Sequence, residues 1–282
     1  MTTNIPNIQL NDGLEIPAIG LGTYSMNGFA GAESIKSGIE AGYRLIDSAF
    51  NYENEGAVGR AAREASVPRD QLRICSKLPG RRHAYDKALV TIEESLLRTG
   101  LDYFDLYIIH WPNPKQGKYV EAWQAMIEAK KRGYVRSIGV SNFLPEHLDT
   151  LVNETGVAPS LNQVELHPYF EQAVQREANA KHGTVTESWS PLGRGKSDGV
   201  LEDAAVKAIA DEYGKTPTQV ILRWHTQLGA IPIPKASSLK HQQENLDIFD
   251  FELTGEQMKK ISAFSKDNRR LWGQDPAEYE EF

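Results

Sequence analysis

Short apolar runs alternate along this chain with longer stretches in which apolar positions recur every three or four residues. The runs are AIGLGT (18–23), YRLID (43–47), LRICSKL (72–78), DYFDLYIIH (102–110), VRSIGVS (135–141), SLNQVEL (160–166), TVTESWS (184–190) and AIPIPK (230–235). Most are apolar nearly throughout, the mark of parallel strands buried on both faces. Helical periodicity occupies 33–41, 55–65, 84–98, 118–132, 145–153, 172–182, 202–213, 217–228 and 255–264. Ahead of them, IQLNDGLEIP (8–17) sets Asn11-Asp12-Gly13 between two apolar segments, a hairpin signal.

Asp47, Lys77, His110, Ser141, Gln163, Trp189 and Lys235 close successive strands. Their spacing is roughly 30 residues, the length of a βαβ unit. Eight such units predict an α/β fold of the (β/α)8 barrel type, with an N-terminal β-hairpin and one domain over 1–282. The last interval holds two helical stretches, so one helix is an insertion. A doubly wound sheet is the rival, and it would bring a glycine-rich dinucleotide loop. GLGT at Gly20 begins such a loop without completing it. GRGKS ends like a phosphate-binding loop, but Ser190 stands where that pattern needs its first glycine.

Composition narrows the function. The 282 residues carry a net charge of −7, which argues against a nucleic-acid partner. The lone Cys75 excludes an intrachain disulfide. The first residues lack a basic start followed by an apolar core, and no apolar run approaches the ~20 residues that span a bilayer. A cytoplasmic protein without membrane contact is expected. His83, His147, His182 and His225 have no metal-ligand spacing, so no metal is expected.

Functional groups of such barrels gather at the C-terminal ends of the strands. Asp47, Lys77 and His110 end three consecutive strands, and Tyr52 follows the first of them. Singly, each has a plainer role, as cap, solvated charge, core histidine or packing ring. Together on one face they make a proton donor. A free phenol has a pKa of about 10. A lysine ammonium beside it favours phenolate and should lower that value, while a carboxylate keeps the lysine charged and fixed. Histidine can bond a substrate oxygen beside the tyrosine. Such a site would protonate an oxygen that gains negative charge, as a carbonyl does when hydride arrives.

The runs GYRLIDSAFNYENEGAVG, SKL, YIIHWP, GVSNF, NQVELHP, SWSPLG and IPKASS…ENLDIF occur in the order seen in aldo-keto reductases. The chain resembles that family from the hairpin to about residue 265, and within it bacterial enzymes of the 2,5-diketo-D-gluconate reductase kind. The resemblance implies NADPH-dependent reduction of aldehydes or ketones, with diketo sugar acids and 2-oxoaldehydes among the candidates, by a monomer without a metal. Its catalytic tetrad falls on Asp47, Tyr52, Lys77 and His110. Cofactor contacts fall on Gly22, Thr23, Asp47, Ser141, Asn142 and Gln163, with Trp189 stacking on the nicotinamide. Diphosphate contacts fall on Ser190, Leu192 and Gly193. The 2′-phosphate site falls on Lys235, Ser237, Ser238 and His241, with Glu244 and Asn245 near the adenine. Tyr24, Trp111 and Trp272 join Tyr52 and His110 at the substrate, and residues 268–282 form a loop over the barrel mouth. His167 is a structural position of the family.

Two positions depart from the family. Ala236 stands where it has serine, and His241 where it has an arginine able to bond phosphate in two places. NADPH is therefore expected to be preferred, with NADH usable. The family also includes cofactor-binding sensors and regulatory subunits, the alternative from another class.

Overall fold

A two-stranded hairpin precedes the barrel, β1 (Asn7–Gln9) pairing antiparallel with β2 (Glu15–Pro17). Gly13, at φ 89°, makes the turn between them. The fold is drawn from a computed structural model, which describes residues 5–193, 199–266 and 269–282. Eight parallel strands follow: β3 (Leu21–Gly22), β4 (Leu45–Asp47), β5 (Arg73–Leu78), β6 (Phe104–Ile109), β7 (Val135–Ser141), β8 (Leu161–Glu165), β9 (Val185–Trp189) and β10 (Ala230–Pro232). Each pairs with the next in sequence. The sheet then closes on itself. Gly20 N–H donates to Pro232 O (3.0 Å), Gly22 N–H to Pro234 O (3.1 Å), and Gly22 bridges Lys235.

One helix lies in most of the connections: α1 (Gly28–Ala41), α2 (Glu55–Glu64), α3 (Tyr85–Thr99), α4 (Tyr119–Lys131), α5 (Pro145–Thr155) and α6 (Ala173–Lys181). Two helices, α7 (Ala204–Tyr213) and α8 (Pro217–Gln227), occupy the last connection, as the spacing predicts. α9 (Leu239–Leu246) and α10 (Gly255–Ser262) follow β10. Local chemistry fixes several starts. Thr216 and Gln219 form a capping box on α8 with Pro217 in its first turn, and Thr254 and Gln257 do the same on α10.

The strand pleat sorts side chains between two cores. Leu45, Cys75, Leu106, Ile108, Leu161 and Ile231 point inward and join Leu10 and Ile16 of the hairpin in one buried cluster. The hairpin thus plugs the N-terminal end of the barrel. Ile46, Ile74, Tyr107, Ile109, Ile138 and Val140 point outward and pack on Ile35, Ile92, Trp123 and Leu148 of the helices. Continuing the inward column by two residues carries Leu45 to Asp47, Cys75 to Lys77, Ile108 to His110 and Leu161 to Gln163. Polar groups are thereby delivered to the opposite end of the barrel from the hairpin.

One helix boundary and one whole helix, α9, differ from the periodic reading. α1 begins at Gly28, five residues early, because its first turn is built on glycines. A Cβ on Gly31 would lie 2.2 Å from the Met26 carbonyl carbon. α9 lacks an apolar period because two of its three buried residues, Gln242 and Asn245, are polar, with Leu246 the third. Gln242 donates to Ser34 O (2.9 Å) and Ala236 O (3.0 Å), and accepts from Ser37 Oγ.

Gly22 sits at the closing seam, and a Cβ there would lie 2.8 Å from the Ile233 carbonyl oxygen. Gly22→Ala is therefore expected to destabilise the fold by about 1–3 kcal/mol. Thermal unfolding checks this, and an unchanged midpoint would show that the seam spreads without cost. Among the described residues, no helix is long and apolar enough to cross a membrane.

Candidate active site

Asp47 and Lys77 meet at the C-terminal end of β4 and β5, both buried. Lys77 Nζ donates to Asp47 Oδ1 (2.6 Å), Asp47 Oδ2 (2.7 Å) and Ser48 O (2.8 Å), so all three ammonium protons are placed. Burial opposes the Lys77 charge, but Asp47 and then Tyr52 overcome it and raise its pKa. Tyr52 lies in a 3-10 turn, Phe50–Tyr52, directly after β4. Lys77 Nζ is 5.0 Å from the centre of its ring. His110 follows β6, with its backbone N–H bonded to Leu78 O (3.0 Å) and its ring edge-on to Tyr52 at 5.9 Å. Three strand ends thus bring the four predicted groups together.

The phenol does not behave as the sequence reading expects. Burial pushes Tyr52 up to about 12, and Lys77 only partly counters this, with Asp47 and Glu281 adding to the rise. Lysine lowers the value as expected, but desolvation is the larger effect. Tyr52 therefore holds its proton throughout the neutral range.

Beneath the tetrad lies an acid that the sequence reading passed over. Glu187 points inward from β9, two residues before Trp189. Gln163 Nε2 donates to both Asp47 Oδ2 (2.9 Å) and Glu187 Oε2 (2.5 Å), bridging the carboxyls. Burial, then the nearby Asp47 charge, pushes Glu187 up to about 8. The parity of TVTESWS was the available signal, since residues 187 and 189 share a face.

The residues assigned to the nicotinamide end form one chain of hydrogen bonds. Trp189 Nε1 donates to Asn142 Oδ1 (2.8 Å). Asn142 Nδ2 donates to His110 O and Ser141 Oγ, both at 3.0 Å. Ser141 Oγ donates to Gln163 O (2.8 Å). Asn142 and Ser190 both adopt left-handed backbone, φ 63° and 48°, which turns the chain sharply at the two strand ends. Trp189 stacks on Trp272 with ring centres 5.8 Å apart and planes 25° apart. Thr23 is buried and donates to Asp47 O (2.8 Å), so it braces β4. Leu192 and Gly193 lie in the turn after β9, where Gly193 N–H donates to Ser190 O (2.8 Å). Arg194, Gly195, Lys196 and Ser197 of the GRGKS run lie outside the described residues.

At the start of α9, Lys235, Ser237, Ser238 and His241 are all exposed, while Ala236 is buried. Ser238 caps the helix, accepting the His241 N–H at 3.4 Å. A cation, hydroxyls and a helix start together suit a phosphate group. Further along α9, Glu244 accepts from Thr216 Oγ1 (2.7 Å) and Asn245 is buried.

The mouth is covered by residues 269–282, as the resemblance implies. Leu271 N–H donates to Glu165 Oε1 (2.7 Å), and the same oxygen lies 3.0 Å from His167 Nε2, which gives His167 its structural role. Trp111 is buried against Tyr279 at 4.4 Å. Tyr24 remains exposed, edge-on to Tyr52 at 5.1 Å. Most consequential is Glu281. Its Oε1 lies 2.7 Å from His110 Nδ1 and accepts from Asn51 Nδ2 (2.8 Å), while its Oε2 accepts Gly80 N–H (3.0 Å). Asn113 bonds the Glu281 backbone on both sides, at 2.8 and 3.2 Å. Burial alone would push Glu281 up, but His110, Gly80 N–H and Asn51 together hold it below the usual carboxylate range.

The chain matches the model of the aldo/keto reductase family over residues 18–266. It is 51% identical over 278 residues to 2,5-diketo-D-gluconic acid reductase B of Corynebacterium sp., covering 99% of each chain. It is 44% identical to an aldo-keto reductase of Mycolicibacterium smegmatis, covering 96% of this chain and 97% of that one. Among solved structures, the apo form of Gox0644 superposes with a TM-score of 0.92 at 42% identity, covering 99% of each chain. A Gox0644 mutant in complex with NADPH superposes equally well, at 41% identity and 98% and 99% coverage. The chain therefore belongs to the aldo/keto reductase family, and it is an NAD(P)H-dependent oxidoreductase with a (β/α)8 barrel.

Proposed function

We propose that this protein reduces aldehydes or ketones to alcohols with NADPH, and that Asp47, Tyr52, Lys77 and His110 are its catalytic residues. The observation that carries this is the meeting of a buried, charged Lys77 with a protonated Tyr52 and with His110 at the C-terminal end of the barrel. Bound NADPH would supply hydride to the carbonyl carbon. Tyr52 then protonates the oxygen, because an alkoxide is a stronger base than a phenolate, even one whose pKa is about 12. Lys77 offsets the phenolate charge left behind, and Asp47 fixes Lys77. His110 meets the same oxygen. Tyr24, Trp111 and Trp272 line the approach.

The residues present fit the cofactor. Ser141, Asn142 and Gln163 carry the donors and acceptors that a carboxamide matches. Trp189 offers a flat ring at the mouth, and Lys235, Ser237 and Ser238 would hold the 2′-phosphate. A relative named for 2,5-diketo-D-gluconic acid makes diketo sugar acids the first substrates to test, with 2-oxoaldehydes second. A panel of such carbonyls, followed by loss of NADPH absorbance, tests the reading. NADPH binding without turnover on any member would overturn it.

His241 sets the cofactor preference. It is exposed at the start of α9, where arginine would add a permanent planar charge. NADPH should be preferred and NADH should still turn over. His241→Arg is expected to raise the NADPH-to-NADH ratio of kcat/KM by about tenfold, or about 1.4 kcal/mol. A native NADPH preference above ~10³-fold would exclude this role for His241.

A further inference from the structure

The loop between β10 and α9 is held from behind by a buried amide. Gln242 is fully buried on α9. Its Nε2 donates to Ala236 O (3.0 Å) and to Ser34 O of α1 (2.9 Å), and its Oε1 accepts from Ser37 Oγ (2.9 Å). Two backbone carbonyls flank the nitrogen, and a carbonyl can only accept, so the amide has one orientation. One residue further along the loop, Ser34 Oγ donates to Ser237 O (3.0 Å). Two successive carbonyls of the loop are thus drawn toward α1. A trans peptide unit is planar, so its C=O and N–H point in opposite directions. Drawing Ala236 O and Ser237 O back turns the N–H groups of Ser237 and Ser238 the other way. Both serines are exposed, and among the described residues neither N–H has a hydrogen-bond partner. Ala236 packs its side chain into the core under the helices, so it gives the loop backbone and no hydroxyl.

We propose that Gln242 and Ser34 are positioning residues for the cofactor, holding two peptide units so that the Ser237 and Ser238 N–H groups, and not carbonyl oxygens, meet the 2′-phosphate. This rests on the reading that Lys235, Ser237 and Ser238 hold that phosphate. A peptide unit that turned over would offer the phosphate a carbonyl oxygen, which repels it, in place of a donor. Each tether guards one unit. Gln242 fixes the unit that ends in the Ser237 N–H, and Ser34 fixes the unit that ends in the Ser238 N–H. Gln242 has no exposed surface, so it acts only through the loop. Part of the NADPH preference then comes from backbone donors, separately from the side chains of Lys235 and His241.

Gln242→Met keeps the length of the side chain and removes its three bonds. Ser34→Ala removes the bond to Ser237 O from a half-buried place on α1 and leaves α9 unaltered. Dissociation constants for NADPH and NADH, read from quenching of tryptophan fluorescence, test both variants without turnover. Gln242→Met should bind NADPH about tenfold more weakly, the scale of one hydrogen bond to a charged group, and Ser34→Ala about threefold more weakly. NADH lacks the 2′-phosphate, so its constant should change by less than about twofold in either variant. A merely structural role would weaken both cofactors together. Backbone amide proton shifts give a second reading. In the native chain the Ser237 and Ser238 signals should move downfield with NADP⁺ and not with NAD⁺. Gln242→Met should blunt the Ser237 response and Ser34→Ala the Ser238 response. Equal weakening of NADPH and NADH, or native NADPH affinity in both variants, would overturn the proposal. So would Ser237 and Ser238 signals that respond alike to the two cofactors while the native chain still prefers NADPH. A native chain that binds NADPH and NADH equally would instead remove the phosphate site itself, and this proposal with it.

Discussion

Tyr52→Phe is expected to bind NADPH as the native chain does and to reduce carbonyls about 10²–10⁴-fold more slowly, the usual loss for a positioned acid. The ring stays, so its edge contacts with Tyr24 at 5.1 Å and His110 at 5.9 Å persist. What disappears is one O–H beside a charged lysine. The defect should not be rescued by pH. Because Tyr52 is pushed up to about 12, it is a full donor anywhere between about pH 6 and 9, and its removal subtracts the same contribution across that range. Cofactor titration and kcat measured at several pH values check both halves. Near-native turnover would mean that another group protonates the product.

Lys77→Met should lose activity on a comparable scale and, unlike Tyr52→Phe, should also lose stability. Methionine fills the stem of the side chain but removes all three bonds from Nζ. Asp47, only 2% exposed, is then a buried carboxylate without its cation. Breaking such a pair from one side costs about 3–5 kcal/mol. In the native chain this pair adds no pH dependence near neutrality. Lys77 is raised on folding, so its contribution is fully present below the unfolded lysine value of about 10.4, and is lost only as pH rises through the higher folded value. Native thermal stability should therefore be insensitive to this pair from about pH 6 to 9, and the variant should melt lower throughout. A folded Lys77→Met protein with native turnover would remove lysine from the mechanism.

Much of this was legible because a parallel barrel writes itself plainly into sequence. Strands buried on both faces are apolar runs, and each ends where an apolar run meets a polar residue. That rule located Asp47, Lys77, His110, Ser141, Gln163 and Trp189 without reference to any contact. It failed for Glu187, which has the right parity but lies inside a run rather than at its end. It also gave the wrong net direction for the Tyr52 phenol. A neighbouring lysine can be read from spacing, whereas the extent of burial belongs to the folded surroundings. α9 was only partly visible because a helix that packs through Gln242 and Asn245 shows no apolar stripe. Glu281 gave no signal at all, since its segment has neither period nor motif and its partners lie in three distant loops.

That distance bears on how the molecule assembles. Each strand pairs with the next in sequence, so the sheet can grow by short steps and then close at Gly20 and Gly22. The bonds that seat Glu281 span 230, 201 and 168 positions, to Asn51, Gly80 and Asn113. Contacts of such separation become favourable only after the intervening loops have been ordered, so they belong late in folding. Until they form, Asp47, Lys77 and Tyr52 can be in place while His110 has not yet met Glu281. Undocking of the last segment would break these bonds without breaking a strand pair.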